Sequence, residues 1–283
     1  GVVQGAIFAA FALALVLIFR STRIVNFAQG AMAAATTFIA LALIEAGQSY
    51  WVALLVALVS GFVLGAVIER VVIRPVEGGP ELNAVIVTLG LFIAIQALVA
   101  IVFGNDERAF PPPFDRVGFT VGETNIALTP NNLYTIGGVL LTLVLLIVLF
   151  RYTRVGLAMR ASAFGQEVAR LLGVRVGRML TLGWALAAVV GAVAGVLIAG
   201  EGSSVTPNFM DALIVYGFVA AVLGGLDSPI GAVVGGVALG LLLGYVRGYL
   251  GDEVVNLAAL VILIVVLLVR PGGLFSSAQA RRA

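Results

Sequence analysis

The chain has 283 residues, 61% of them hydrophobic and only 11% charged, with a mean hydropathy of +1.17 and a net charge of +2. So apolar a composition excludes an ordinary soluble domain and describes a polytopic, all-α membrane protein. All 16 basic residues are arginine, and Lys, His and Cys are absent, so the chain completes no P-loop, offers no imidazole or thiolate to a metal and forms no disulfide.

A membrane helix needs about 17–25 mostly apolar residues. Candidate spans cover residues 2–19, 29–46, 51–68, 84–103, 133–150, 179–199, 211–226, 230–248 and 254–269, giving eight or nine transmembrane helices. The Gly-rich pair 211–226 and 230–248 can instead be short or re-entrant. No basic residue precedes the first segment, which is therefore expected to be a span and not a cleavable signal. Residues 1–283 are expected to form one transmembrane domain.

Arginine placement sets the expected orientation. The loop 151–178 carries Arg151, Arg154, Arg160, Arg170, Arg175 and Arg178 against Glu167 alone, and is expected in the cytoplasm. Counting spans from it puts the acidic loop 104–132, with Asp106, Glu107, Asp115 and Glu123, outside. Arg20, Arg23, Arg70, Arg74, Arg270, Arg281 and Arg282 then fall inside, so the C-terminus is cytoplasmic, and Arg247 is left on the outer side. Arginines at span ends are topology signals, not a phosphate-binding face, so no nucleic acid partner is expected and lipid surrounds the spans.

Proton- or ion-coupled transporters bury groups that change charge at mid-depth. Here the deep positions are expected to hold neutral groups such as Thr36, Thr37, Thr88 and Gln96, which disfavours ion coupling. Between the first two spans, "RIVNFAQGAM" places the amides of Asn26 and Gln29 where a span begins. They can hydrogen-bond a solute or a broken helix, or Asn26 can simply cap. Asn26, Gln29, Thr36 and Thr88 are accordingly candidate path residues, with back-bonding to their own helix as the alternative for the threonines.

Within the loop 151–178, Phe164, Val168, Leu171 and Leu172 follow an i, i+4, i+7, i+8 spacing that predicts a short amphipathic helix, capped by Ser162 and stopped by Gly173. Such a helix can rest on the membrane surface or insert into a groove on a soluble partner, and periodicity leaves both open. Further on, "GAVVGGVALGLLLGYVRG" spaces Gly236, Gly240, Gly244 and Gly248 four apart, with Gly231 and Gly235 offset. The stripe lets another backbone approach, either within this chain or across a subunit interface. A faint echo links "NFAQGAM" at Asn26 with "NFMDAL" at Asn208, each opening a span in opposite directions, as in inverted repeats.

Several stretches together resemble the LivH-type permeases of branched-chain amino-acid ABC importers: "RIVNFAQGAM", "IERVVIRPV", "RYTRVGLAMRASAFGQEVARLLGV", "AGVLIAG", "AAVLGGLDSPIGAVVGG" and the terminal "RPGGLF". They fall in family order over nearly the whole chain. The resemblance implies a permease of the bacterial inner membrane that moves leucine, isoleucine or valine inward. Its implied partners are a second homologous permease, two cytoplasmic ATPase subunits and a periplasmic or lipid-anchored solute-binding protein. It implies no cofactor and no catalytic site of its own. It also implies a coupling helix with a loose Glu-x-Ala-x-x-x-Gly pattern, matched by Glu167, Ala169 and Gly173, whose face with Phe164, Val168, Leu171 and Leu172 docks on the ATPase. Two departures stand out: Gln29 and Ala31 replace a histidine and a carboxylate common in the family, and "LDSPIGA" lacks the usual proline beside the glycine. A same-family permease for urea, short amides or another amino acid is the nearest alternative, and an ATP-independent facilitator or channel the next.

Overall fold

The structure, a computed structural model, describes residues 1–76, 79–121, 124–126, 128–202, 204–270 and 272–275, so Glu123, Arg281 and Arg282 lie outside the described residues. Every expected span coincides with a helix. In chain order these are α1 (Val2–Thr22), α2 (Gln29–Glu45), α3 (Tyr50–Ile68), α4 (Glu81–Phe103), α5 (Pro130–Tyr152), α8 (Val176–Glu201), α9 (Asp211–Gly224), α10 (Pro229–Leu250) and α11 (Val255–Val269). Two shorter helices, α6 (Arg154–Phe164) and α7 (Gln166–Leu171), fill the segment between α5 and α8. A small antiparallel hairpin, β1 (Phe119–Val121) with β2 (Thr124–Ile126), lies between α4 and α5.

Seven helices are long and apolar enough to cross a bilayer, and the remaining apolar pair, α2 and α9, is shorter. With 17 and 14 residues, these two span about 25 and 21 Å against a hydrocarbon core of about 30 Å. Of the Gly-rich pair 211–226 and 230–248, either of which could be short, the first is short and α10 is full length; α2 is the second short helix. Residues 23–28 form no helix, and α2 begins only at Gln29 after the turn at 27–28.

Side-chain size decides which helices sit at the centre. α1 is buried continuously from Gly5 to Ile18, and α8 is buried along most of its length. Both are rich in Ala and Gly, which let neighbouring backbones approach in a medium where lipid is as apolar as leucine and only close packing favours association. A Cβ on Gly65 of α3, for example, would lie 2.5 Å from the Trp184 carbonyl oxygen of α8. Helices α4, α5 and α11 instead expose long apolar side chains such as Ile101, Leu141 and Leu268. This is the outward face that lipid requires.

A π-helical turn over Glu69–Ile73 extends α3 and ends with the Arg74 N–H bonded to the Glu69 carbonyl. That five-residue repeat stacks the two side chains. Glu69 is fully buried, and Arg74 Nη2 reaches its Oε2 at 2.9 Å and Oε1 at 3.0 Å. Thr181 of α8 donates to the same carboxylate at 2.6 Å, and Arg74 also donates to the Gly177 carbonyl at 2.8 Å. One ion pair thus ties the end of α3 to the beginning of α8.

Candidate functional site

The segment between α5 and α8 is built by a sequence of caps. The Thr153 hydroxyl accepts from the Gly156 N–H at 3.0 Å and starts α6. Gly156 itself lies so close to the end of α5 that a Cβ would sit 2.1 Å from the Leu149 carbonyl oxygen. α6 runs on through Ser162, whose hydroxyl donates to the Ala158 carbonyl at 2.9 Å. Ser162 is therefore not the cap of the amphipathic helix, because the alanine-rich turn around it continues; the break falls at Gly165, which is extended.

α7 ends as expected at Gly173, which adopts φ +82°. The Gly173 N–H bonds to Arg170 and the Val174 N–H to Ala169, the paired bonds of a Schellman stop. Ala169 is buried against Val176 and Leu180 at the start of α8. The opposite face points away from the bundle: Phe164 is 95% and Leu171 88% exposed, and Val168, Leu172 and Glu167 are exposed with them. The six arginines of residues 151–178 are all exposed. The arrangement is an exposed apolar ridge in an arginine-rich segment, with Ala169, Ala161 and Val174 packed toward Val176 and Leu180.

Asn26 and Gln29 are both fully buried and are joined to each other, Asn26 Nδ2 donating to Gln29 Oε1 at 3.1 Å. Asn26 Oδ1 accepts from the Ala28 N–H at 3.0 Å, so it stabilises the turn before α2 while Ala28 holds the cap position. Gln29 Nε2 donates to the Ala187 carbonyl at 2.9 Å, near the middle of the 26-residue α8. Thr36 and Thr37 both donate to the Ala33 carbonyl at 2.8 Å, and Thr88 donates to Val85 at 3.0 Å. In this conformation all four candidate path residues are enclosed and hydrogen-bonded, with Thr36 and Thr88 turned onto their own helices.

The Asn26 turn has a counterpart. The Asp211 N–H bonds to the Asn208 carbonyl at 3.1 Å as the Gln29 N–H bonds to Asn26 at 3.3 Å, and each turn opens a short helix. The two helices begin against each other, since a Cβ on Gly30 would lie 2.5 Å from Ile214. From there α2 runs to the end where Glu45 meets Arg108, and α9 to the end where Asp227 meets Arg23. About one turn before Ile214, Asp211 accepts from Gln96 Nε2 of α4 at 3.1 Å. Asp211, the first residue of α9 and half-buried, is thus a carboxylate at the start of an expected span that the sequence reading did not single out.

The glycine stripe meets α1. A Cβ on Gly236 would lie 2.3 Å from the Ala9 nitrogen, one on Gly240 2.2 Å from the Gly5 Cα and one on Gly244 2.9 Å from the Gly1 Cα, whereas Gly248 has nothing within 4 Å. Gly231 and Gly235 face Gly224 and Ala220 of α9. At the end of the bundle opposite α6 and α7, Glu201 gathers side chains that no sequence pattern connects. Asn131 Nδ2 at 3.0 Å and Thr135 Oγ1 at 2.5 Å donate to its Oε1, and Asn132 Nδ2 at 2.7 Å to its Oε2. Among the described residues no group of three or more Asp or Glu side chains is placed to hold a metal.

The profile of a family described as branched-chain amino acid transport system / permease component matches residues 1–270. The chain is 28% identical to the high-affinity branched-chain amino acid transport system permease protein LivH of Salmonella typhimurium, over 100% of this chain and 95% of that protein. It is also 28% identical to the permease protein BraD of Pseudomonas aeruginosa over the same shares. Among solved structures, PsaBC from Streptococcus pneumoniae in complex with Fab contains a chain with a TM-score of 0.53 and 15% identity, matched over 96% of this chain and 91% of that one. At that identity the likeness concerns the fold alone. With its apolar helices and this match along nearly its whole length, the chain belongs to the permease components of branched-chain amino acid transport systems.

Proposed function

We propose that the chain is the permease subunit of an ATP-binding-cassette importer that carries leucine, isoleucine or valine into the cytoplasm, driven by partner ATPases. The observation that carries this reading is the outer face of α7 together with the end of α6. Phe164, Val168, Leu171 and Leu172 form an exposed apolar ridge outside the spans, and Glu167 stands beside it. A ridge of this kind fits the groove of a soluble partner, and Ala169 and the Gly173 stop fix its attitude toward α8. The absence of lysine supports the same division of labour, because ATP must be bound elsewhere.

On this reading α6 and α7 face the cytoplasm, two ATPase subunits dock there, a second homologous permease completes the path, and an external solute-binding protein delivers the substrate. Closure of the ATPases on nucleotide moves the ridge and shifts the permease between its inward- and outward-open states. Asn26, Gln29, Thr36 and Thr88 become accessible to solute only when the packing around α2 and α8 opens.

Leu171→Asp tests the coupling role. Uptake by the reconstituted transporter should fall to background while the variant inserts in the membrane and unfolds like wild type, because the Leu171 side chain is almost wholly exposed. Uptake that survived the substitution would sink the assignment.

A further inference from the structure

A cleft of about 390 Å³ opens at the end of the bundle opposite α6 and α7, between the start of α1, the end of α8, α9, the second half of α10 and the start of α11. Its volume lies within the ordinary range for small-molecule sites, about 300–1,000 Å³. Most of its wall is apolar, with Ile7, Phe8, Leu213 and Leu243 among the side chains that form it. Two charged residues of opposite sign share that wall, Glu201 and Arg247. Arg247 is the arginine that the topology left on the outer side, and a topology signal gives it no purpose there.

Both charges retain binding capacity. Arg247 pairs through Nε with Asp252, five residues on and largely exposed, which leaves the terminal nitrogens of the guanidinium fork to grip a carboxylate. Glu201 Oε1 takes two donors and Oε2 takes one, from Asn132, a residue of the same wall. A carboxylate oxygen has about two acceptor positions, so Oε2 keeps one for an ammonium. The three donors fix the orientation of Glu201 before anything binds. An acid and a base on an apolar wall match the three parts of an apolar α-amino acid: its carboxylate, its ammonium and its side chain.

We infer that this cleft is a receiving site for a zwitterionic amino acid with an apolar side chain, Arg247 holding the carboxylate and Glu201 Oε2 the ammonium. The inference rests on the importer reading and adds to it a site on this chain, separate from whatever the solute-binding protein supplies.

The test is equilibrium binding of radiolabelled leucine to the purified permease–ATPase complex without the solute-binding protein, with leucinamide and 4-methylpentanoate as competitors. Loss of one charge-assisted contact weakens binding about tenfold or more. Arg247→Gln should therefore weaken leucine by that factor and leave leucinamide, which has no carboxylate, unchanged. Glu201→Gln, which keeps the shape of the side chain, should weaken leucine and leave 4-methylpentanoate, which has no ammonium, unchanged. Asp252→Asn removes the partner of Arg247 but not the guanidinium, and should bind leucine as wild type does. Leucine binding unaltered in both charge variants overturns the site. So does an Arg247→Gln variant that loses leucine and leucinamide equally, since that marks a structural role. Uptake assays on the wild-type complex reconstituted together with its solute-binding protein separate this failure from the larger one: a complete system that takes up no amino acid at all overturns the importer reading itself.

Discussion

The seam between α1 and α10 and the outer face of α7 are both regular apolar stripes, yet the first is closed and the second open. The difference lies in side-chain size. Along α10 the stripe is glycine, and Gly236, Gly240 and Gly244 bring the backbone of α10 onto Ala9, Gly5 and Gly1. Along α7 the exposed residues are Val168, Leu171 and the capping Leu172, joined by Phe164 at the end of α6, and these large side chains point away from the bundle. Lipid accounts for the large apolar residues on α4, α5 and α11, but α7 is a single short helix in a segment whose six arginines are all exposed. Small residues in this chain close the seams between helices, whereas the large residues of α7 stay exposed, which is what the proposed docking role requires.

Closing the seam with a side chain should have the largest effect. A Cβ at position 240 would already lie 2.2 Å from the Gly5 Cα, which is backbone and cannot swing aside. Gly240→Leu is expected to separate α1 from α10 and abolish a cooperative thermal transition in detergent. A variant that purified as a single species with the wild-type melting curve would show that the seam tolerates far more space than its geometry allows.

The next largest effect belongs to the ion pair at the π-helical turn. Glu69 has no exposure, so removing Arg74 strands a buried carboxylate, at a cost of about 3–5 kcal/mol. Arg74→Ala should lower the unfolding free energy by that amount. Adding Glu69→Gln should recover part of the loss, because the stranded charge is gone. If the double variant were no more stable than Arg74→Ala, the carboxylate would not be the source of the cost.

Much of the architecture is legible in the amino-acid sequence, for reasons that differ by element. The spans are legible because each is a long apolar run, and the exposed face of α7 because Val168, Leu171 and Leu172 keep the helical spacing, whereas Phe164, expected on the same helix, ends α6 before the break at Gly165. The N-terminal boundary of α7 is not: Ser162 is a good capping residue, but the alanines around it favour continuing α6, and the extended Gly165 makes the break. The amides of Asn26 and Gln29 are recognisable as polar groups within an apolar chain, but nothing near them in sequence names Ala187 as the acceptor. Glu201 is the extreme case, since its donors lie 66–70 residues away and only the packing of α5 on α8 brings them together. Local periodicity is carried by neighbouring residues, whereas a tertiary hydrogen bond is not.

The smallest expected effect sharpens the comparison most, because it asks where the glycine stripe stops. Gly248 continues the four-residue spacing of Gly236, Gly240 and Gly244, so sequence treats the four alike. The structure does not: a Cβ on Gly244 would meet Gly1 at 2.9 Å, whereas one on Gly248 would have nothing within 4 Å. A glycine in an open helical position costs about 0.5–1 kcal/mol relative to alanine through chain entropy. Gly248→Ala should therefore leave the isolated chain as stable as wild type or slightly more so, by up to about 1 kcal/mol in detergent unfolding. A clear loss of stability in the isolated chain would mean that α10 packs beyond Gly244 after all. Unchanged stability of the chain combined with failure to assemble into the full transporter would place the last glycine of the stripe against another subunit, a division of one periodic pattern between folding and assembly.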